Sequence, residues 1–393
     1  MVTHSKDTIE YNEIKKIYKR VRGTPITAER MSKIKSATGA IRVFAGGATE
    51  IRANVSDLPN ANIISDPVVI VQSRGVIDFI YCNVPCTFKN EMWGYTSSDI
   101  YAVKFLFYYL KHNVDYFRNA GDGRSSFSQI SLPVTEEYKI PLLSSKEQQA
   151  IASVLSDFDE HIDNLSELIE KKKAIREGAL DDLISGRTRV DGFDGDWIES
   201  TIESSTSAII TGGTPSTTID KYWGGTIPWL ASTEVHQKII TKATRNITEI
   251  GLNNSSAKIA PKDSVLIALA GQGKTRGTAA FLAYPMALNQ SLAALVPSDK
   301  TNPKFLYYLI ENMYLDLREH SSGDGGRGGL NKTLIKNINI RLPREIKEQQ
   351  AIAEVLTAMD EEIESLETEK EKMIQIKEGA MDDLLTGRVR LKV

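Results

Sequence analysis

The segment Lys146–Val190 recurs without a gap as Lys347–Leu391, at a constant offset of 201 residues. The stretch KEQQAIA at Lys146–Ala152 returns letter for letter at Lys347–Ala353, and EGALDDLISGRTRV at Glu177–Val190 returns as EGAMDDLLTGRVRL at Glu378–Leu391. Identity holds at 25 of 45 aligned positions, far above chance for a self-comparison. Each copy follows a long stretch of different character. The chain is therefore one unit built twice: a variable globular part, then a helix. A molecule of that kind presents two similar surfaces at a fixed separation, and its function has to use both.

The repeated segment reads as a long helix. Ser144 has Glu147 three residues on and Ser145 has Gln148, so either register makes a capping box. The apolar positions Ile151, Leu155, Phe158, Ile162, Leu165 and Ile169 alternate steps of four and three, a heptad seam. The second copy runs Ile352, Leu356, Met359, Ile363, Leu366 and later Met373. Each helix should reach about Leu183 or Leu384, roughly 57 Å if continuous. A narrow apolar stripe has to be buried against something. The other copy is the nearest candidate, which predicts an antiparallel coiled coil with the two halves related by a pseudo-two-fold axis. Gly178 and Gly379 interrupt both helices at one repeat position, at about 1 kcal/mol each relative to Ala. That predicts a kink or a close backbone approach, or else records a duplication inherited without selection. Gly186 and Gly387 follow the last periodic residues and read as helix stops. The Arg after each suits the negative end of the helix dipole.

The formal net charge of −3 looks unpromising for a nucleic-acid binder. Divided by segment it becomes +4 over residues 1–145, −7 over 146–199, +5 over 200–346 and −5 over 347–393. A polyanion would prefer the globular parts; ordinary surface scatter beside solvated acidic helices is the other explanation. Two cysteines, Cys82 and Cys86, argue against a disulfide scaffold and fit a reducing cytosol. The polar N-terminus lacks the apolar core of a signal peptide, and no apolar run approaches the ~20 residues that span a bilayer. A soluble, cytoplasmic protein is expected.

The globular parts read as mixed α and β. Pro67–Val71, Ile77–Tyr81, Ser264–Leu269 and Thr278–Tyr284 have strand character. KFLFYYL at Lys104–Leu110 and KFLYYLI at Lys304–Ile310 share one helical pattern, with aromatic residues that fit a core better than a base-stacking face. A Gly-rich loop follows each, Gly121–Ser126 and Gly323–Gly329, so the globular parts are diverged copies too.

Several motifs tempt and fail. ALAGQGKT at Ala268–Thr275 has Ala where a phosphate loop needs its first Gly, and RGTAAFLAY behind it looks like a strand instead of the required helix. A Gly-rich hairpin carrying Lys274 and Arg276 is the better reading. Gly323, Gly325 and Gly328 fit G-x-G-x-x-G, but a helical stretch precedes them where the dinucleotide fingerprint needs a strand. Cys82 and Cys86 form a single C-x3-C without the further ligands a zinc site needs. Glu13 and Lys15 form an E-x-K that chance supplies often. No Pro-Pro dipeptide is present, so the signature of adenine and cytosine amino-methyltransferases is missing. No nucleophile–base arrangement stands out, which favours a recognition or scaffold role over catalysis.

Thr211–Val235 reads TGGTPSTTIDKYWGGTIPWLASTEV. This resembles the opening of a target recognition domain in the specificity subunits of type I restriction-modification enzymes. The match runs through Gly212–Ser216, Tyr222–Gly225 and Ile227–Trp229. Ala287–Leu292, Gly328–Leu334 and Glu348–Ala353 resemble the same family. The first half matches more thinly, at Gly23-Thr24-Pro25, Phe88–Trp93, the Gly121 loop and Glu147–Ala152. It lacks the Y-W-G-G and I-P-W segments, with Ile41-Arg42-Val43-Phe44 where the latter would fall.

The resemblance implies an α+β chain of four parts: a target recognition domain over 1–143, a central helix over 144–187, a second recognition domain over 188–344 and a C-terminal helix over 345–393. Each recognition domain would read one half of an asymmetric bipartite duplex target. The helices would set the spacing and dock two methyltransferase subunits, with Asp181, Asp182, Asp382 and Asp383 on the docking surface. The chain itself would be non-catalytic, with no cofactor or metal of its own. S-adenosylmethionine, ATP and Mg would belong to methyltransferase and ATP-driven restriction subunits.

Two basic domains at a fixed separation also suit two half-sites on one face of a duplex. Candidates for phosphate and base contacts in the second domain are Thr211, Thr214, Lys274, Arg276, Asn289, Gln290, Arg327 and Lys332. In the first they are Arg22, Thr24, Arg42, Arg74, Arg124 and Ser125. Trp223 and Trp229 fit a core better than a stacking face. Two other readings stay open, a coiled-coil scaffold without DNA specificity and a nucleotide-dependent enzyme using the Lys274 loop.

Overall fold

Short runs of β-branched and aromatic residues between Gly, Pro, Asn and Ser form strands in both globular parts, because such side chains fill a pleated, half-buried surface. The computed structural model describes residues 2–3, 9–47, 49–121, 128–271, 273–320 and 329–391. They fall into two compact units, Met1–Ser166 with Thr368–Val393, and Glu167–Glu367.

In the first unit β1 (Lys19–Arg22), β2 (Ile41–Ala45), β3 (Thr49–Ala53), β4 (Val68–Gln72), β5 (Asp78–Cys82), β6 (Cys86–Phe88) and β7 (Trp93–Thr96) build two sheets. One is antiparallel in the order β1-β7-β4-β5. The other has the order β3-β2-β6, with β2 antiparallel to β3 and parallel to β6. Helix α1 (Ile100–His112) begins at Asp99, whose carboxylate accepts from the Tyr101 and Ala102 N–H groups at 2.9 and 3.4 Å. Its Phe105, Leu106, Tyr108 and Tyr109 are buried, so the aromatic cluster is core as expected. The helix α2 (Ser145–Ser185) follows.

The second unit repeats this plan. Its strands are β8 (Thr206–Thr211), β9 (Trp223–Leu230), β10 (Ile239–Ile240), β11 (Arg245–Ile247), β12 (Lys258–Ala260), β13 (Val265–Ala268), β14 (Ala279–Leu282), β15 (Met286–Leu288) and β16 (Leu292–Pro297). The larger sheet has the order β8-β16-β13-β14-β10 and the smaller β11-β9-β15-β12. As in the first unit, the smaller sheet holds one parallel pair, β9 with β15, and an antiparallel partner, β11, on the other side of β9. The strands expected from sequence lie within a few residues of β4, β5, β13 and β14. Helix α3 (Pro303–Asn312) takes the place of α1, and α4 (Ile346–Leu385) that of α2.

Compactness groups the chain differently from its serial parts. The boundary between units cuts α2 after Ser166 and α4 after Glu367, so each unit owns the start of one long helix and the end of the other. Within the first unit Glu147 pairs with Arg390 at 2.5 Å, Asp159 with Lys377, and His161 with Glu369 at 3.6 Å. Within the second, Arg189 pairs with Glu348 at 2.6 Å, Arg176 with Asp360 at 2.9 Å and Lys173 with Glu367 at 2.8 Å. Rising numbers on one helix meet falling numbers on the other, so the helices pair antiparallel in each unit.

The heptad stripe does not serve helix pairing alone. Ile151 and Leu155 enter the first unit's globular core with Leu384 and Leu385. Ile352 and Leu356 enter the second's with Leu180, Leu183 and Ile184. The capping box forms by half. The Glu147 N–H donates to Ser144 Oγ at 3.2 Å, but the Glu147 carboxylate takes Arg390 instead of returning to the cap. A buried carboxylate gains more from a bidentate guanidinium than from one N–H.

Gly186 and Gly387 adopt φ of 74° and 72° and end the helices, as the sequence predicts. Gly178 and Gly379 do not mark a close approach. A Cβ at either would meet nothing within 4 Å among the described residues, and α2 and α4 run through both positions. Among the described residues no helix is long and apolar enough to cross a membrane.

Candidate nucleic-acid interface

The TGGTPS stretch folds into a loop that only glycine permits. A Cβ at Gly212 would stand 1.8 Å from the Leu288 carbonyl oxygen, and one at Gly213 would stand 1.9 Å from Ser256 Oγ. The loop backbone thus lies directly on the end of β15, where the Gly213 N–H donates to the Leu288 carbonyl at 2.9 Å. Two indoles of β9 tie down its outer side. Trp229 Nε1 donates to the Gly213 carbonyl and Trp223 Nε1 to the Ser216 carbonyl, each at 3.0 Å. Trp229 is buried and meets Trp223 edge-on, with centroids 5.2 Å apart. The Y-W-G-G and I-P-W segments are therefore the clamp for the GGTPS loop.

The clamp presents polar groups outward. Thr214 is exposed, and its Oγ1 donates to Gln290 Oε1 at 2.6 Å. That fixes the Gln290 amide and leaves its N–H groups for an outside acceptor. Thr211 is half-buried at the end of β8. Asn289 is buried, and its Oδ1 accepts from the Ser291 N–H at 3.0 Å, so its side chain shapes the turn that carries Gln290.

One residue of this surface has no signature in the sequence. Arg245 opens β11 opposite Trp229, with its guanidinium carbon 3.7 Å from the Trp223 ring centroid and 5.7 Å from that of Trp229. KATRNI around it has neither periodicity nor motif, and only the β9–β11 register brings it to the tryptophans.

The Lys274 segment is the hairpin between β13 and β14, which pair antiparallel. No helix follows Thr275, so the phosphate-loop geometry is excluded. Gly271, Gly273 and Gly277 all take positive φ, and Lys274 is exposed at the tip. The Lys274 carbonyl accepts from Tyr314 Oη at 3.1 Å, and the Gly273 and Arg276 carbonyls accept from Arg318 at 2.8 and 3.2 Å. The tip is thereby held to the helix Tyr314–His320. Lys332 is exposed at the start of the short helix Lys332–Lys336, which Asn331 caps. Arg327 and the whole Gly323–Gly328 pattern lie outside the described residues, as do Arg124 and Ser125.

The first unit builds the same platform from other side chains. A Cβ at Gly23 would strike the Phe88 carbonyl oxygen at 2.3 Å, the counterpart of the Gly212 contact. Thr24, however, is buried: its Oγ1 meets Thr87 Oγ1 at 2.7 Å and accepts from the Asn62 N–H at 2.9 Å. β2 stands where β9 stands, as the alignment of Ile41–Phe44 with I-P-W expects. By register Val43 and Ile51 occupy the places of Trp229 and Arg245. Arg42 lies one residue away and gives Nε and Nη2 to Glu50 at 2.6 and 2.7 Å. The hydrogen-bonded Arg42 guanidinium holds the Glu50 carboxyl below its usual range. Arg22 and Arg74 are exposed.

The four aspartates have local partners. Arg187 takes Asp181 and Asp182 at 2.5 and 2.9 Å, and Arg388 takes Asp382 and Asp383 at 2.7 and 2.5 Å. In both copies an Arg beyond the glycine stop offsets carboxylates at the negative helix end.

Elsewhere, buried and half-buried polar groups hold each unit's helices to its core. Asp159 accepts from Tyr108 Oη at 2.6 Å and pairs with Lys377. Asp360 accepts from Tyr308 Oη at 2.9 Å and pairs with Arg176, which also reaches Glu311 at 2.7 Å. Burial opposes the charge on Arg176, and Glu311 and Asp360 more than offset it, so its pKa is raised. Glu13 pairs with Lys15 and Lys16, and Cys82 and Cys86 are buried, with Cys82 Sγ donating to the Val84 carbonyl at 3.4 Å.

Two stretches, residues 25–174 and 196–375, match the family described as the type I restriction modification DNA specificity domain. Each match takes in one globular part and the first three-quarters of the helix behind it. The chain is 26% identical over 330 residues to the type I restriction enzyme MjaVIII specificity subunit of Methanocaldococcus jannaschii, spanning 77% of this chain and 73% of that protein. It is 32% identical over 169 residues to the MjaIX specificity subunit of the same organism, a match over 42% of this chain and 38% of that protein. In fold it resembles the crystal structure of the S subunit of a type I restriction-modification system from M. genitalium, with a TM-score of 0.66 over 97% of both chains at 17% identity.

Proposed function

The chain belongs to the type I restriction modification DNA specificity family, and on that premise we propose that each globular part reads one half of an asymmetric, bipartite duplex target. One observation carries this reading. Both units place a glycine-locked loop at the end of the parallel strand pair, yet one platform carries Trp229 and the exposed Arg245 where the other has the buried Val43 and Ile51, and its loop exposes Thr214 against Gln290. A shared frame with different polar groups on it is what two unlike half-sites require. Lys274 and Arg276 on the hairpin tip and Lys332 supply phosphate contacts in the second unit, and Arg22 and Arg74 supply them in the first.

The helices have the opposite character. Their ion pairs and core contacts recur at equivalent positions, which suits one kind of partner met twice. They serve as the spacer and as the docking surface for two methyltransferase subunits, with Asp181, Asp182, Asp382 and Asp383 at its edge. The chain has no catalytic role of its own. S-adenosylmethionine is used by the methyltransferase subunits, and ATP and Mg by restriction subunits where these join the complex.

Duplex binding by the chain with its methyltransferase subunit, measured across salt concentrations, tests the proposal. Affinity falling steeply with salt, by a log–log slope of about −0.9 per phosphate contact, is expected. A stable complex that binds no duplex leaves only a scaffold.

A further inference from the structure

The exposed residue Arg245 sits in an arrangement that neither phosphate binding nor core packing explains. Its guanidinium lies 3.7 Å from the Trp223 ring centroid, a tight stack, and 5.7 Å from that of Trp229. Both indoles are immobilised by hydrogen bonds to the Gly213 and Ser216 carbonyls. Among the described residues no hydrogen bond or ion pair engages the Arg245 side chain. Arg42, Arg176, Arg187, Arg189 and Arg388 by contrast are each held by carboxylates.

Stacking on a fixed ring holds the guanidinium plane and leaves its in-plane N–H donors pointing outward. The entropy of ordering a long side chain is then already spent before a ligand arrives. A phosphate contact needs charge near the backbone and tolerates a mobile side chain. Bidentate reading of a base needs the fork in one plane. The loop that the same two indoles hold carries Thr214, whose hydroxyl in turn orders the Gln290 amide at 2.6 Å.

Resting on the DNA-reading function proposed above, we infer that Arg245 is a specificity-determining residue of the second unit, reading the O6 and N7 edge of a guanine in the major groove. Trp223 is its positioning residue.

The test uses the full chain co-expressed with the methyltransferase subunit encoded beside it, in a methylation-free host, with N6-methyladenine mapped across the genome. Arg245→Lys keeps the charge and removes the planar fork. It should relax one G·C position in one half of the methylated motif, losing roughly 10- to 100-fold of discrimination there, with the other half unchanged. Trp223→Leu should relax the same position. An unchanged motif with Arg245→Lys and Arg245→Ala overturns the assignment while leaving the DNA-reading function standing. Equal weakening at all sequences makes Arg245 a phosphate contact and also overturns it. If the unaltered chain directs no mark and binds no duplex, the underlying reading fails and this one with it. The intact second half-motif serves as the folding control in every variant.

Discussion

The two recognition platforms share a frame and differ in what it carries. In both, a glycine lies against the carbonyl at the end of a parallel-paired strand, 2.3 Å from a would-be Cβ at Gly23 and 1.8 Å at Gly212. In the second unit two tryptophans clamp the loop, and an arginine with no ion pair among the described residues stacks on one of them. In the first, the corresponding register positions are Val43 and Ile51, and the nearby Arg42 is neutralised by Glu50. Backbone geometry is thus shared where a substitution would clash, and the side chains laid on that frame differ. The helices show the reverse: Asp159 with Lys377 and Asp360 with Arg176 repeat one contact at equivalent positions, though only Arg176 has a second carboxylate, Glu311.

The largest expected effect is Asp360→Ala, which leaves the buried Arg176 with Glu311 alone and should lower unfolding stability by about 3 kcal/mol. Asp159→Ala removes the more exposed partner of Lys377 and should lower it by only about 1 kcal/mol. Denaturant midpoints that move equally would show the two sites to be equivalent after all.

Next come the glycine locks. Gly213→Ala should cost about 1–3 kcal/mol by overpacking and erase recognition of one half-site, and Gly23→Ala should do the same to the other. Either variant abolishing both halves equally would mean that the platforms do not act separately.

A smaller effect is expected from Trp229→Phe, which keeps most of the ring and loses the hydrogen bond to Gly213, about 1 kcal/mol. A thermal midpoint left in place would remove the indole N–H from the account of the clamp.

The smallest and most pointed change is Glu50→Gln, which frees the Arg42 fork. It should raise duplex affinity a few-fold at low salt, with a slightly steeper salt slope. The pH dependence has a definite sign. Glu50 has a lowered folded-state pKa, so the pair's contribution is present above the ordinary glutamate range and is lost as pH falls through the lowered value. Affinity unchanged by Glu50→Gln would show that Arg42 does not face DNA.

Much of this was legible in the sequence for physical reasons. Heptad spacing and the glycine stops announce α2 and α4, and the repeat announces the duplication. The GGTPS and Y-W-G-G segments are legible because steric locks and indole clamps leave few alternatives at those positions. Of the readings open at Gly178 and Gly379 (a kink, a close approach, or an inherited duplication), a close approach is not found among the described residues, since a helix glycine in open space looks the same in sequence as one under contact. Arg245 was invisible because its partner is set by strand register across more than 20 residues. Arg42 looked available until its antiparallel neighbour strand brought Glu50 to it. Thr24 and Thr214 both precede proline in a G-T-P, but the Thr24 N–H donates to the Phe88 carbonyl as the Gly213 N–H does to that of Leu288, so Thr24 sits one place earlier on the platform and its hydroxyl is buried.

The most direct measurement is the symmetry of the methylated motif that this unaltered chain directs in a methylation-free host, read by single-molecule sequencing with the methyltransferase subunit alone as control. Two unlike platforms predict a split motif, dependent on this chain, whose halves differ in sequence. A palindromic motif, or a continuous one, would contradict the claim that each unit reads its own half.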